Sequence, residues 1–206
     1  MRDAERYRYV NEVPDRNANT HQSAQMLALA LLGFLIPFLI PGPQILTGIL
    51  VNALIIRAAI ALPSWKTLPV IFTPSIGALA QGVLFGPFSM FLVFMMPFIW
   101  AGNLILAYAI SSWKRNTRGY FFALGAGSLA KAGLLYATAY MLYSASIIPA
   151  IFLTAMGTIQ VATAVLGGIV VYVELRTEKY FFRIKKNMCN SKKNPVLLID
   201  QRFIKG

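Results

Sequence analysis

Four polar side chains of this sequence lie inside apolar stretches, where they are able to bind a solute. Lys131 is near the centre of the apolar run 120–143, and Asn52, Asn103 and Gln160 lie in three other runs. As a helix, the run 120–143 is about 35 Å long and places Lys131 about 16 Å from either end. The lysine side chain reaches only about 6 Å, too short to bring the ammonium to an interface. A charge at that depth costs roughly 2.5–3.5 kcal/mol, so Lys131 needs a partner.

The acidic residues do not supply that partner, because all of them lie in the terminal segments or, as Glu174, at the end of the last apolar run. The sequence therefore predicts that the counter-charge of Lys131 is an anionic group of a bound ligand, or an acid of a partner subunit. The alternative is a neutral Lys131, hydrogen-bonded to Asn103 or to a backbone carbonyl. The amide residues have an alternative role too, since Asn and Gln often join membrane helices by hydrogen bonds.

The run that begins at Gln44 carries a further pattern. The i, i+3, i+4 rule places Gln44, Thr47 and Gly48 on one helix face, with Val51 and Asn52 next along it. The N-terminal amides of such a helix carry a partial positive charge that favours an anion. Gln44 and Thr47 are therefore predicted at the mouth of a site whose wall includes Asn52, although small and polar faces also serve close helix packing.

The elements that must position these residues are membrane helices. The chain of 206 residues is 57% hydrophobic and only 13% charged, whereas soluble domains are about 25% charged. The net charge of +12 lies mainly outside the apolar runs, as membrane topology requires, and we predict no nucleic-acid partner. Single Cys189 and single His21 exclude a disulfide framework and argue against a metal centre or other cofactor site built by this chain.

The apolar runs predict an all-α fold, an integral membrane bundle of six transmembrane helices. Proline and glycine end several of the runs, as at 41–43, at Pro63 and at 86–87. Residues 1–22 are predicted as a cytoplasmic N-terminal tail, with an interfacial helix around 7–13, and 176–206 as a basic cytoplasmic C-terminal tail. The transmembrane domain 23–175 comprises helices at 23–40, 44–62, 68–85, 88–113, 120–143 and 147–175.

The basic residues predict how the bundle lies in the membrane. With six crossings, every Lys and Arg except Arg57 and Lys131 falls on one side, and the opposite turns hold none. Cytoplasmic segments collect such residues, so both termini are predicted in the cytoplasm of a cell whose inner or cytoplasmic membrane holds the chain. Arg57 is about five residues from the end of its helix and is predicted to snorkel to the headgroups.

A series of short motifs resembles a known family. They are Gln44 with 47–48 and 51–53, 74–75 with 78–79 and Gly82, 97–99 with Asn103, 125–126 before Lys131, and Gln160 with 162–164 and 167–168. In this order they are similar to small prokaryotic membrane proteins related to the S components of energy-coupling factor (ECF) transporters. Some members of that group are called iron hydrogenases, but one cysteine cannot ligate an iron–sulfur cluster, which needs about four.

The resemblance implies a fold, a function and partners. S components have six helices, bind a micronutrient near the outer side, and dock on a T component and two ATPase subunits. The small pair Ala24 and Ala28 is similar to the alanine motif with which their first helix meets the T component. The chain itself has no phosphate-binding loop of the Gly-x-x-x-x-Gly-Lys-Ser/Thr type, so ATP energy would come from such partners.

Together these patterns predict a membrane-embedded, S-component-like subunit that binds a small polar or anionic micronutrient for uptake. Its site is expected to be lined by Asn52, Asn103, Lys131 and Gln160, with Gln44 and Thr47 at the mouth. The alternative is a non-transport scaffold or assembly subunit of a larger complex, in which Lys131 pairs with another protein's acid. An enzyme is not expected, because the membrane runs contain no His/Cys cluster and no nucleophile beside a base.

Overall fold

A computed structural model of the protein describes residues 16–40, 42–82, 86–112 and 117–193, with side chains from 18 to 185. The predicted interfacial helix at 7–13 and the C-terminal residues from 194 onward lie outside the described residues. The described residues form helices joined by short turns, without a strand, in this order: α1 Arg16–Leu39, α2 Gln44–Ala61, α3 Ser64–Gln81, a 3-10 helix Gly86–Phe91, α4 Leu92–Ser112, α5 Thr117–Ser144, α6 Ile151–Met156 and α7 Thr158–Lys193.

Proline and glycine set several of these limits. α2 begins directly after Pro43, and α3 begins directly after Pro63; in both cases the proline is the extended residue before the first turn. α3 ends at Gly82, whose φ of 75° lies in the left-handed region that glycine adopts without steric strain. The Gly82 amide donates to the carbonyl of Ala78 at 3.2 Å, which satisfies one of the last carbonyls of the helix.

The helices differ from the predicted runs mainly at their ends. α1 begins at Arg16, inside the predicted tail, and α7 continues to Lys193, inside the predicted C-terminal tail. Polar residues do not stop a helix in water, so hydropathy marks the membrane segment and not the helix end. The run 147–175 contains two helices, α6 and α7, which meet at Gly157. The run 88–113 begins as a 3-10 turn before α4.

α3 continues through its internal Pro69 and Pro74 and covers 18 residues. Membrane helices tolerate internal proline where neighbouring groups satisfy the backbone that the ring leaves unpaired. α3 packs along α1 and also contacts α2 and α4, so it lies among other helices over much of its length.

Five segments are long and apolar enough to cross a membrane: Ala18–Leu39, Gln44–Ala61, Gly86–Ser112, Thr117–Ser144 and Ile151–Lys185. These segments mark the chain as a membrane protein. α3 is not among them, since it holds Lys66, Gln81 and several hydroxyl residues within its 18 positions. A sixth crossing therefore stays a prediction.

Lys66 joins α1 to α3 and is almost completely buried, with 1% of its surface exposed. Its ammonium donates to the carbonyl of Asn19 at 3.2 Å, to the side-chain oxygen of Asn19, and to the hydroxyl of Ser23 at 3.1 Å. It also lies 5.1 Å from the ring centre of Trp65, close enough for a cation–π contact. Three acceptors match the three donors of an ammonium group.

The chain divides into two units, one ending at Gly168 and one beginning at Ile169. The first unit contains α1 to α6 and the start of α7, and it holds the cavity described below. The second unit continues α7 as a helix whose surface carries exposed aromatic side chains at Tyr180, Phe181 and Phe182. Within it, Arg176 donates to the Tyr172 hydroxyl at 3.0 Å.

Candidate functional site

A cavity of about 90 Å³ lies in the first unit. Its walls include residues of α2, α3, α4 and α5 and of the start of α7. The face predicted on α2 is confirmed as a single face, because Gln44, Thr47, Gly48, Val51 and Asn52 all line this cavity. The other predicted residues line it too, so that helices distant in sequence bring the whole set together: Gln44, Thr47, Asn52, Asn103, Lys131 and Gln160. That a solute binds there stays a prediction.

Lys131 comes from α5 and is buried, with 2% of its surface exposed. Its Nζ donates to the Oδ1 of Asn52 at 2.6 Å. Asn103 or a backbone carbonyl was the expected protein partner of a neutral Lys131, but the acceptor in the structure is Asn52. A neutral amide oxygen is a partner for one of the three donors of an ammonium and does not cancel its charge, and Lys131 is one of the residues that line the cavity.

Asn52 connects three helices. Besides accepting from Lys131, it donates through Nδ2 to the carbonyl of Gly48 at 2.9 Å and to the hydroxyl of Thr163 at 3.2 Å. Thr163 in turn donates to the carbonyl of Ile159 at 2.8 Å. These contacts fix the orientation of the amide, because its oxygen faces a donor and its nitrogen faces acceptors. Asn52 therefore holds the ammonium of α5 between α2 and α7.

Asn103 is the second amide at this depth, and it is 2% exposed. Its Nδ2 donates to the carbonyl of Ile71 on α3 across 3.4 Å, a long hydrogen bond. Its Oδ1 is buried and has no hydrogen-bond partner among the residues that the structure describes. An unpaired buried acceptor costs about 1–3 kcal/mol, which makes this oxygen a marked feature of the cavity wall.

Gln44 and Gln160 are partly exposed, whereas Asn52, Asn103 and Lys131 are buried. Gln44 precedes Asn52 by about 12 Å along α2, so the two glutamines lie toward the mouth and the lysine toward the interior. Thr47 was also predicted at the mouth, but it is 3% exposed and its hydroxyl donates to the carbonyl of Ile40 at 2.8 Å. Its proton is thus used to hold the end of α1 against α2.

Sequence reasoning did not assign a role to Ser75 or Thr163, which also line the cavity. Ser75 accepts a hydrogen bond from Nε1 of Trp100 at 2.7 Å, which joins α3 to α4. A signal existed for Thr163, because it follows Gln160 by three residues and therefore shares its helix face. For Ser75, one serine in a helix of many hydroxyl residues gave no such signal.

Two glycines set how closely the helices approach beside the cavity. A Cβ added at Gly167 of α7 would lie 2.8 Å from the carbonyl oxygen of Ile49 and 2.9 Å from the amide nitrogen of Ala53. A Cβ at Gly102 of α4 would lie 3.1 Å from Cγ of Lys131. The first contact is with backbone, which cannot give way, and the second is with the flexible stem of the lysine.

Two predictions concern residues outside the cavity. Ala24 and Ala28 are exposed on α1, beside the exposed Leu27 and Leu31. Arg57 is partly buried near the end of α2, and its predicted snorkelling is not tested by this arrangement.

The electrostatic setting of the cavity follows from the sequence. The stretch from Arg16 to Val173 contains no aspartate and no glutamate. Within the described part of the chain, no three His, Cys, Asp or Glu side chains lie together as metal ligands would. A lysine amino group, amide groups and hydroxyl groups remain, and groups of this kind can bind a solute through hydrogen bonds and one positive charge. No protein-family model, no curated protein and no solved structure matches this chain.

Proposed function

We propose that this protein is a membrane-embedded, substrate-binding subunit for uptake of a small polar or anionic micronutrient. One observation carries the proposal: Lys131 is buried at a cavity, and its described protein partner there is the neutral oxygen of Asn52. A buried charge needs pairing, and an anionic solute supplies it. The resemblance to S components of ECF transporters supports uptake as the role, and we propose binding and not catalysis.

The alternative is a scaffold whose Lys131 pairs with an acid of another protein. Its support is that such a partner would also supply the missing counter-charge. Against it stands the burial of Lys131, since an acid of a neighbouring subunit would have to enter the cavity between the helices. A solute reaches this position more readily than a side chain of a docked protein does.

The proposed uptake requires a bundle with six crossings and both termini in the cytoplasm. α3 runs back along α2, since its Pro74, Ser75 and Ala78 line the same cavity as the beginning of α2. It contains as many residues as α2, and several of its polar side chains, including Lys66, Thr67 and Ser75, are buried and not directed to lipid. The mean hydropathy of the whole helix therefore understates how apolar its outer surface is.

We also propose that α1 docks on a T component, with ATPase subunits supplying energy. The exposed positions of Ala24 and Ala28 support this, because small residues permit close helix approach. Replacing both by Leu is expected to abolish co-purification with a T component expressed from the same cells. If the double variant still co-purifies with the T component, α1 is not the docking helix.

The uptake proposal is tested by native mass spectrometry of the gently purified protein, with chemical analysis of the small molecules it releases. A co-purifying solute is expected, and Lys131→Met is expected to lose it. Arg118→Met is the matched control, since it removes a positive charge from an exposed position of the same helix. Ligand-free protein that still pulls down membrane partners would contradict the proposal and favour the scaffold.

A further inference from the structure

The cavity offers a solute two hydrogen-bonding groups of opposite kind. Both residues line it: Lys131 supplies donors and a positive charge, and Asn103 has a buried Oδ1, an acceptor without a hydrogen-bond partner among the described residues. The identity of that atom is fixed by the other end of the amide: it faces the carbonyl of Ile71, which can only accept, so it must be the nitrogen. A complementary solute therefore carries an anionic acceptor and, separately, a neutral donor.

The size and the walls of the cavity restrict the solute further. About 90 Å³ is more than the 10–15 Å³ or so needed for one water molecule and far less than the roughly 300 Å³ of a pocket for a drug-sized ligand. Between the polar groups, the walls include the apolar side chains of Val51, Ile99, Met156 and Ile159. The solute therefore has few carbon atoms, and these face apolar side chains.

The solute's donor is an ammonium or a hydroxyl group, and the absence of Asp and Glu from Arg16 to Val173 decides between the two. An amino acid would bring an ammonium group close to Lys131, with no carboxylate of the bundle to receive it. A second carboxylate on the solute would meet the acceptor of Asn103 and no second lysine. A hydroxyl group donates to Asn103 without adding charge, so it is the donor that this wall favours.

We propose that the site takes a small hydroxycarboxylate, with its carboxylate on the Lys131 ammonium and its hydroxyl donating to Oδ1 of Asn103. This inference rests on the uptake function proposed above and names its substrate class. The carboxylate competes with Asn52 for the ammonium, and the hydroxyl pairs the acceptor that the described residues leave unpaired.

The test is titration calorimetry on the full chain in detergent with four matched solutes: lactate, propionate, alanine and lactamide. Propionate lacks the hydroxyl, alanine replaces it with an ammonium, and lactamide lacks the charge. Lactate is expected to bind tightest, with propionate about tenfold weaker because Asn103 stays unpaired. Alanine and lactamide are expected to be at least about 100-fold weaker, since each leaves a buried charge unpaired.

Asn103→Leu separates the two contacts. It is expected to bind lactate no more tightly than propionate, because the hydroxyl of lactate has lost its acceptor. Gly133→Ala is the control, because a Cβ at this position on the lysine helix meets nothing within 4 Å. It is expected to keep the preference for lactate.

Equal affinity for lactate and propionate in the unaltered protein, or binding of alanine as tight as that of lactate, would overturn the inference. Binding of none of the four solutes would overturn it as well. The uptake function survives these outcomes if a co-purified solute of another class is lost in Lys131→Met. It fails together with the inference if no solute co-purifies either.

Discussion

Lys66 and Lys131 are two lysines of similar burial in very different surroundings. Lys66 is 1% exposed and Lys131 is 2% exposed. The ammonium of Lys66 meets three oxygen acceptors from α1 and the face of an aromatic ring, whereas that of Lys131 meets one amide oxygen beside a cavity. Among the described residues, the first lysine has an acceptor for each of its donors and the second has an acceptor for one. Burial alone therefore does not single out a candidate ligand-binding lysine; the number of its described partners does.

The largest expected effect is a difference in sign between two variants. Lys66→Met is expected to lower the free energy of unfolding by about 2–3 kcal/mol, because it removes three charge-assisted hydrogen bonds that join α1 to α3. Lys131→Met is expected to leave the stability unchanged or to raise it, since removal of an incompletely paired buried charge offsets the cost of leaving the Oδ1 of Asn52 without its donor. The comparison uses the apparent midpoint of thermal unfolding in detergent, without added solute.

At roughly 2–4 °C per kcal/mol for a chain of this size, the Lys66 variant is expected to unfold several degrees lower. Equal losses of stability in the two variants would break the comparison. Both lysines would then be structural, and the main support for an anionic ligand in the cavity would be gone.

A double-mutant cycle measures the coupling between Asn52 and Lys131, which is the second-largest expected effect. Asn52→Leu is expected to cost about 2 kcal/mol, because it removes the described protein partner of a buried ammonium. In the Lys131→Met background the same change is expected to cost less than about 1 kcal/mol. Ser23→Ala is the counterpart at the other lysine, and its cost is expected to be below about 1 kcal/mol since Asn19 still accepts from Lys66. Additive effects at Asn52 and Lys131 would contradict the coupling.

The smallest expected effect concerns the stem of Lys131. Gly102→Ala places a Cβ 3.1 Å from Cγ of the lysine, so the flexible side chain must shift by a few tenths of an ångström. The affinity for lactate is expected to fall about threefold, with little change in stability. Gly133→Ala serves again as the matched glycine variant with free space around it. If both variants bind alike, the position of the lysine stem does not matter to the site.

The sequence predicted the cavity wall better than the contacts within it. Spacing alone placed five residues of α2 on one face, because helical periodicity fixes which side chains share a side. It did not predict that Lys131 meets Asn52 and not Asn103, since this depends on how α2, α4 and α5 rotate about their axes. Both amides lie at a similar depth, and depth was the only coordinate available from the sequence.

The burial of Lys66 could not be predicted from the sequence either. It directly follows a proline turn and sits near the basic flank of the bundle, where a lysine ordinarily reaches water. Its partners Asn19 and Ser23 precede it by more than forty residues and lie where α1 passes α3. No local sequence pattern predicts where two helices cross. The lysine and prolines of α3 likewise gave no indication that this helix packs among its neighbours.

Asn52 has one consequence that reaches past the cavity. Its amide belongs at once to the lysine of α5 and, through Thr163, to the contact between α2 and α7. If an anion draws the ammonium away from this amide, as proposed, a group that also bonds α2 to α7 loses a partner, and occupancy of the cavity is then thermodynamically linked to that helix contact. The linkage would be reciprocal: a docked protein that preferred one arrangement of these helices would change the affinity for the solute, and the solute would change the affinity for that protein by the same factor.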